Sequence, residues 1–198
     1  MNAKQFIKKM AKDNQALFTA SEMQVEAYFD SNPSQEKLVE HFVGRMVNER
    51  MNMTEISAKI ANMPASTPVE ELTLLTKQAQ DEAKHFGMVR DVIEHITGET
   101  LDVEAAIKAE EANPTAKGVA ECIQDEYVST TYAKIAKDEG FHANIGARSL
   151  ALLATDEATQ ARVEEIARTM RMDLFAVSCM NTTALPEAKK LIDEAYSA

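Results

Sequence analysis

The stretches KQAQDEAKHFGM at 77–88 and AKDEGFHANIGARSLALL at 136–153 share one pentapeptide, Asp-Glu-X-X-His, as DEAKH at 81–85 and DEGFH at 138–142. In each copy a glutamate stands three residues before a histidine, and on an α-helix that spacing puts both side chains on one face. Glu82 with His85, and Glu139 with His142, are thus each expected to aim at a single point, as ligands of one metal ion must. The chain has only four histidines, and two of them carry this motif.

Working outward, the composition bounds the rest. The 198 residues are enough for one substantial core, so a single domain spanning 1–198 is expected. Ala, Glu, Lys, Met and Leu are plentiful, while Gly (6) and Pro (5) fall at a few punctuating places, which predicts an all-α protein. The formal charge of −11, with no basic stripe, argues against a nucleic-acid partner. Part of that acidity is accounted for if carboxylates bind cations. Cys122 and Cys179 stand apart without Cys-X-X-Cys spacing, as expected of reduced thiols in a cytoplasmic protein. The start, MNAKQFIKKMAKD, lacks an apolar signal core, and no apolar run approaches membrane-spanning length. Neither secretion nor membrane insertion is expected.

Punctuation divides the chain into helices. Asn32-Pro33 reads as an N-cap and a first helical residue, Thr67-Pro68-Val69-Glu70 as a capping box, Asn113-Pro114 as another start, and Thr155-Asp156 as a later one. The expected layout is an amphipathic helical segment at 2–30, then helices at about 33–62 and 68–97. A short amphipathic stretch at 101–112, a helix from Pro114, a helix to about 154, one over about 156–181 and a tail helix after Pro186 complete it. A metal-binding bundle at about 33–154 would be flanked by helices at 2–30 and 156–196. No segment alternates convincingly with period two, so strands are not expected.

The apolar seams then single out carboxylates. Over 33–62 the seam runs Phe42, Met46, Met53, Ile56 and Ile60, with Glu49 in the vacant position. Over 68–97 it runs Leu72, Leu75, Ala79, Phe86, Val89, Ile93 and Ile96, with Glu82 in the gap. A buried carboxylate needs a cation, and in seams with few Lys or Arg a metal ion is the natural one. The midpoint of Glu49 and Glu82 falls in the connection Met63 to Thr67, so two antiparallel helices would bring both to one height. The later seam runs Tyr132, Ile135, Glu139, His142, Gly146 and Leu153. Ala116, Val119 and Ile123 extrapolate to Glu126 as a sixth ligand, whereas Glu121 lies off that face, and Glu110 and Glu111 sit in a more polar stretch.

Two single glutamates and two Glu-X-X-His pairs resemble the ferritin-like family of dinuclear carboxylate proteins, whose four-helix bundles hold two iron or manganese ions. Within it, the two stretches quoted above, with EATQARVEEIARTM at 157–170 and TGETLDVEAAIK at 97–108, are most similar to the phenylacetyl-CoA epoxidase catalytic subunit and related bacterial oxygenases. The similarity covers about residues 40 to 180. It implies a ferritin-like four-helix bundle with extra N- and C-terminal helices, two Fe ions (or Mn/Fe, or Mn/Mn), dioxygen activation, a small apolar or acyl-type substrate, an electron-donating reductase and a possible homodimer. The implied metal ligands are Glu49, Glu82, His85, Glu126, Glu139 and His142. One departure concerns spacing: such bundles separate the single carboxylate from the second Glu-X-X-His by roughly 30 residues, yet Glu126 precedes Glu139 by 13. A tight turn around Val128 to Thr131, a sixth ligand from Glu110 or Glu111, or helix exchange between subunits would each reconcile this, and the turn is the expectation adopted.

Blander readings stand beside these. A single Glu-X-X-His is usually a solvated pair, and the doubled motif within two seams is what lifts it above that. Asp81 and Asp138 read as acceptors for the ligand histidines rather than as ligands. His41 and His95 read as surface residues, and Met46, Met53, Met88 and Met170 to Met172 as core filling. Met46 and Met53, with Phe86 and Phe141, would also line a small apolar pocket. Tyr127 and Tyr132 are read first as ordinary buried tyrosines with partnered hydroxyls, and the Lys-rich start as a solvated face. The rival functions are a ferritin- or rubrerythrin-like iron-binding or peroxide-reducing protein, and a metal-free helical scaffold.

Overall fold

The computed structural model describes residues 1–112, 126–181 and 185–196, and every regular element among them is α-helical. The all-α expectation is met. Asn113, Pro114, Glu121 and Cys122 lie outside the described residues, as do the side chains of Glu111 and Cys179. The eight helices are α1 (Ala3–Asp13), α2 (Gln15–Asp30), α3 (Gln35–Ala61), α4 (Val69–Thr97), α5 (Val103–Ala112), α6 (Glu126–Leu153), α7 (Glu157–Asn181) and α8 (Pro186–Tyr196). They group into two compact units, one formed by 33–142 and the other by 1–32 with 143–198.

In the first unit α3 and α4 pack along each other, and the Gln35 side-chain amide donates to the carbonyl of Ile96 at 2.8 Å, tying the start of one to the end of the other. The pair is therefore an antiparallel hairpin closed by a short connection, as the position of the Met63 to Thr67 segment implied. Its core is Phe42, Met46, Leu75, Val89, Val92 and Ile93, joined by Val128, Tyr132 and Ile135 of α6. The caps differ from the sequence reading. Ser34, not Asn32, caps α3 by accepting from the Lys37 backbone N–H, while Asn32 takes a positive φ of 52° in the turn before it. Pro68 stands at the N-cap of α4 with no side-chain cap bond, so the Thr67 capping box does not form. At the other end Gly98, at φ 71°, closes α4 with its N–H on the Glu94 carbonyl. Glycine, lacking a Cβ, takes that left-handed conformation at the least cost.

The turn anticipated at Val128 to Thr131 is absent, and α6 runs unbroken through it. β-Branched residues weaken a helix by only a few tenths of a kcal/mol each. Here Val128, Thr131, Tyr132 and Ile135 fall on one face and are all buried, which outweighs that loss.

In the second unit the N-terminal segment expected as one stretch is two helices, broken at Asn14. The break is held from two sides. Arg171 donates from Nε to the Asn14 side-chain oxygen at 2.6 Å, and the Tyr196 hydroxyl donates to the Asp13 carbonyl at 2.7 Å. Leu17, Ala20, Phe175, Ala188 and Ile192 make one apolar cluster, and Phe6, Met10 and Ala154 another. Asp156 caps α7, accepting from the Thr159 backbone N–H at 2.9 Å. Among the described residues no helix is long and apolar enough to cross a membrane.

Candidate metal centre

Three helices of the first unit supply the site. Glu49 comes from the middle of α3, Glu82 and His85 from α4, and Glu139 and His142 from α6. Glu49, Glu82, His85 and Glu139 can each offer one ligand atom such that all four lie within 4.8 Å of one another, an arrangement that could hold a metal ion. Glu49, Glu82 and His85 are buried; Glu139 reaches the edge, its side chain 39% exposed.

Both histidines present the same nitrogen inward. His85 Nδ1 lies 3.7 Å from Glu49, 4.0 Å from Glu82 and 3.9 Å from Glu139. His142 Nδ1 lies 3.2 Å from Glu82 and 3.4 Å from Glu139. Glu82 and Glu139 therefore face both imidazoles, whereas Glu49 faces His85 alone. The outer nitrogens meet aspartates. His85 Nε2 is 3.3 Å from Asp138 and His142 Nε2 is 3.7 Å from Asp81, so each motif lends its aspartate to the other motif's histidine. A proton held on Nε2 toward the aspartate leaves the Nδ1 lone pair for a cation.

Orphaned atoms give a direct test of fit. Glu49 Oε1 and Oε2, Glu82 Oε2, His85 Nδ1 and both ring nitrogens of His142 are buried without a hydrogen bond. Of these, Glu49 Oε2, Glu82 Oε2 and the Nδ1 atoms of His85 and His142 turn inward, a set of oxygen and nitrogen donors that could hold a metal ion.

The electrostatics agree. Burial, the largest influence, pushes the Glu49 carboxyl above its ordinary pKa. Burial also opposes the charged form of Glu82, but His142 and Glu49 beside it prevail and bring it down to about 2. Burial likewise disfavours charged His142, yet the carboxylates of Glu139 and Glu82 overcome this and raise it to about 10; His85 moves upward on the same balance, chiefly through Glu49. The carboxylates of Glu49, Glu82 and Glu139 are met here by protons on the two imidazoles. Metal ions would displace those protons.

Asp81 is fully buried yet anionic. Against the cost of burial, Lys77 and Lys84 close on it, Lys84 at 2.8 Å, and hold its pKa at about 2. The Lys77 ammonium also lies over the Phe141 ring, 4.7 Å from its centre.

Of the six ligand positions expected from sequence, five come together and one does not. Glu126 is exposed at the first turn of α6, 13 residues before Glu139 on the same continuous helix and hence about 20 Å away along the axis. Of the alternatives, Glu110 is buried on α5, which packs against α3. Met46 is fully buried, whereas Met53, Phe86 and Phe141 are half-buried.

Two residues escaped the sequence reading. Arg45, one turn before Glu49, brings Nη2 within 2.8 Å of Glu49 and 3.4 Å of Glu139, so the seam does contain a basic partner. His41, expected at the surface, is 4% exposed and packs edge-on to Phe42, with ring centres 5.3 Å apart. The signal was the i, i+4, i+8 series His41, Arg45, Glu49, a polar stripe running beside the apolar seam. His95 is exposed, as expected. Compared with protein-family models, curated proteins and solved structures, the chain finds no match in any of the three, so the site is read from its own geometry.

Proposed function

We propose that this protein is a non-haem di-iron oxidase or oxygenase that uses dioxygen to oxidise a small apolar or acyl-type organic molecule, drawing electrons from a separate reductase. The observation that carries the reading is the duplicated half-site: two inward-facing imidazole Nδ1 atoms, each flanked by both Glu82 and Glu139 and each backed by an aspartate from the other motif. A pair of cations would fit that pattern better than one.

Glu49, Glu82, His85, Glu139 and His142 would hold the metal pair, with Glu82 and Glu139 each facing both imidazoles. Glu82 and Glu139 stand beside His142 Nδ1, where a third carboxylate would match Glu49 beside His85. Glu110 is the carboxylate proposed there: it is buried, it lies on a helix packed against α3, and it precedes Glu139 by 29 residues, close to the spacing such bundles use. Bound iron would supply the electrons that reduce dioxygen. The chain's own part is to hold Glu82 deprotonated, orient both imidazoles through Asp81 and Asp138, and keep water out with Phe42, Met46 and Val89. Manganese in one or both positions, a cytoplasmic setting for the reduced thiols and the ferritin-like family belong to the same proposal.

Metal analysis followed by anaerobic reduction and rapid mixing with oxygen tests it. Two irons per chain and oxidation within a single turnover are expected. Thousands of irons per assembly would point to storage instead, rapid turnover of peroxide would point to a peroxide-reducing protein, and a metal-free product would leave a helical scaffold.

A further inference from the structure

Arg45 and Tyr132 stand beside the candidate centre, and each holds a buried donor with no acceptor. Arg45 Nε and the Tyr132 hydroxyl have no hydrogen-bond partner among the described residues, although Tyr132 is 2% exposed and the Arg45 side chain 11%. Leaving such groups unpaired costs about 1–3 kcal/mol each, so a fold that buries two of them together is built around an acceptor. Arg45 stands one helical turn before Glu49 on α3 and Tyr132 two turns before Glu139 on α6, and the Tyr132 ring packs against Phe42, three residues before Arg45 on α3, with ring centres 5.5 Å apart.

Charge balance gives the sign of the missing group. With one divalent cation, Arg45 and the carboxylates of Glu49, Glu82 and Glu139 sum to zero. With two, the guanidinium leaves an excess of positive charge even if Glu110 joins them. Asp81 cannot offset it, being matched by Lys77 and Lys84, and Asp138 stands half-exposed beside His85. A buried net charge is costly, and an anion seated between guanidinium and metal removes it.

We infer that Arg45 and Tyr132 form a carboxylate-binding subsite next to the metal pair, which accepts one small monocarboxylate, with the guanidinium and the phenol donating to its oxygens. The inference rests on the di-metal reading. It adds to that reading the kind of polar group the organic ligand carries, and makes Arg45 and Tyr132 the residues that select it.

The test is titration of iron-loaded protein with acetate, followed by calorimetry and by the visible absorption of the oxidised iron, with metal content measured on every sample. Wild type should bind one acetate per chain. Arg45→Met should weaken that binding by about 10–100-fold, the range for losing a charged hydrogen bond, and Tyr132→Phe by about 2–10-fold, both with unchanged metal content. Equal acetate affinity in wild type and both variants overturns the subsite, as does a loaded wild type that binds no acetate saturably. If Arg45→Met does not fold or load, Tyr132→Phe decides alone, and an unchanged acetate affinity in it overturns the inference. A wild type that takes up no metal defeats the di-metal reading, and the subsite falls with it; normal loading without acetate selectivity defeats only the subsite.

Discussion

His85 on α4 directs Nε2 at Asp138 on α6, 3.3 Å away, so the aspartate of the second motif serves the histidine of the first. With Asp81 and His142 reversing the arrangement at 3.7 Å, the two pentapeptides form an interlocked pair rather than two independent sites.

Asp138→Ala is expected to weaken metal binding by about 10–100-fold without removing any ligand, since it frees the His85 ring to rotate and to shift its proton. Competition with a chelator of known affinity measures this. An unchanged affinity would mean that the aspartate does not orient the ring.

Glu82→Ala or His142→Ala should abolish binding of the metal pair while leaving helical content intact. Glu82 faces both imidazoles, so its loss strips a carboxylate from each, while the helices stay packed through Phe42, Met46, Val89 and Ile93. Metal analysis with circular dichroism tests the two halves of this statement; full loading of either variant would refute the ligand assignment.

Glu110→Ala should reduce the stoichiometry from two metals per chain to one, whereas Glu126→Ala should change nothing, because Glu126 is exposed and about 20 Å from Glu139 along one helix. The opposite outcome would require helix exchange between subunits.

Metal uptake should release protons and strengthen as pH rises. The folded-state pKa of His142 is raised from 6.5 to about 10, so its ion pairs stabilise the metal-free protein fully below pH 6.5, and that contribution is lost as pH climbs toward 10. A metal needs the same nitrogen unprotonated and gains over this window. Calorimetry in buffers of different ionisation enthalpy counts the protons; an affinity flat between pH 6.5 and 9 would contradict the coupling. At the acid end Asp81, lowered from 3.8 to about 2, gives stability that is complete above pH 3.8 and is lost as pH falls through 2, a loss that Asp81→Asn should remove from the acid unfolding curve.

What the sequence determined by itself was local and periodic. The seam positions of Glu49, Glu82 and Glu139, the three-residue step to each histidine and the helical character of their surroundings follow from a repeat of 3.6 residues, which needs no knowledge of neighbours. Helix starts were less legible, because Asn32, Ser34, Thr67 and Pro68 are all compatible with a cap and packing chooses among them. Tertiary structure decided three matters. It kept α6 continuous past Val128, since burial of Val128 and Tyr132 outweighs a weak local preference, and so it removed Glu126 from the site. It turned Arg45 and His41 inward, because the helix hairpin buries a polar stripe that periodicity alone assigns to solvent. And it crossed the aspartates between the motifs, a pairing set by where α4 and α6 come to lie and by nothing in either pentapeptide.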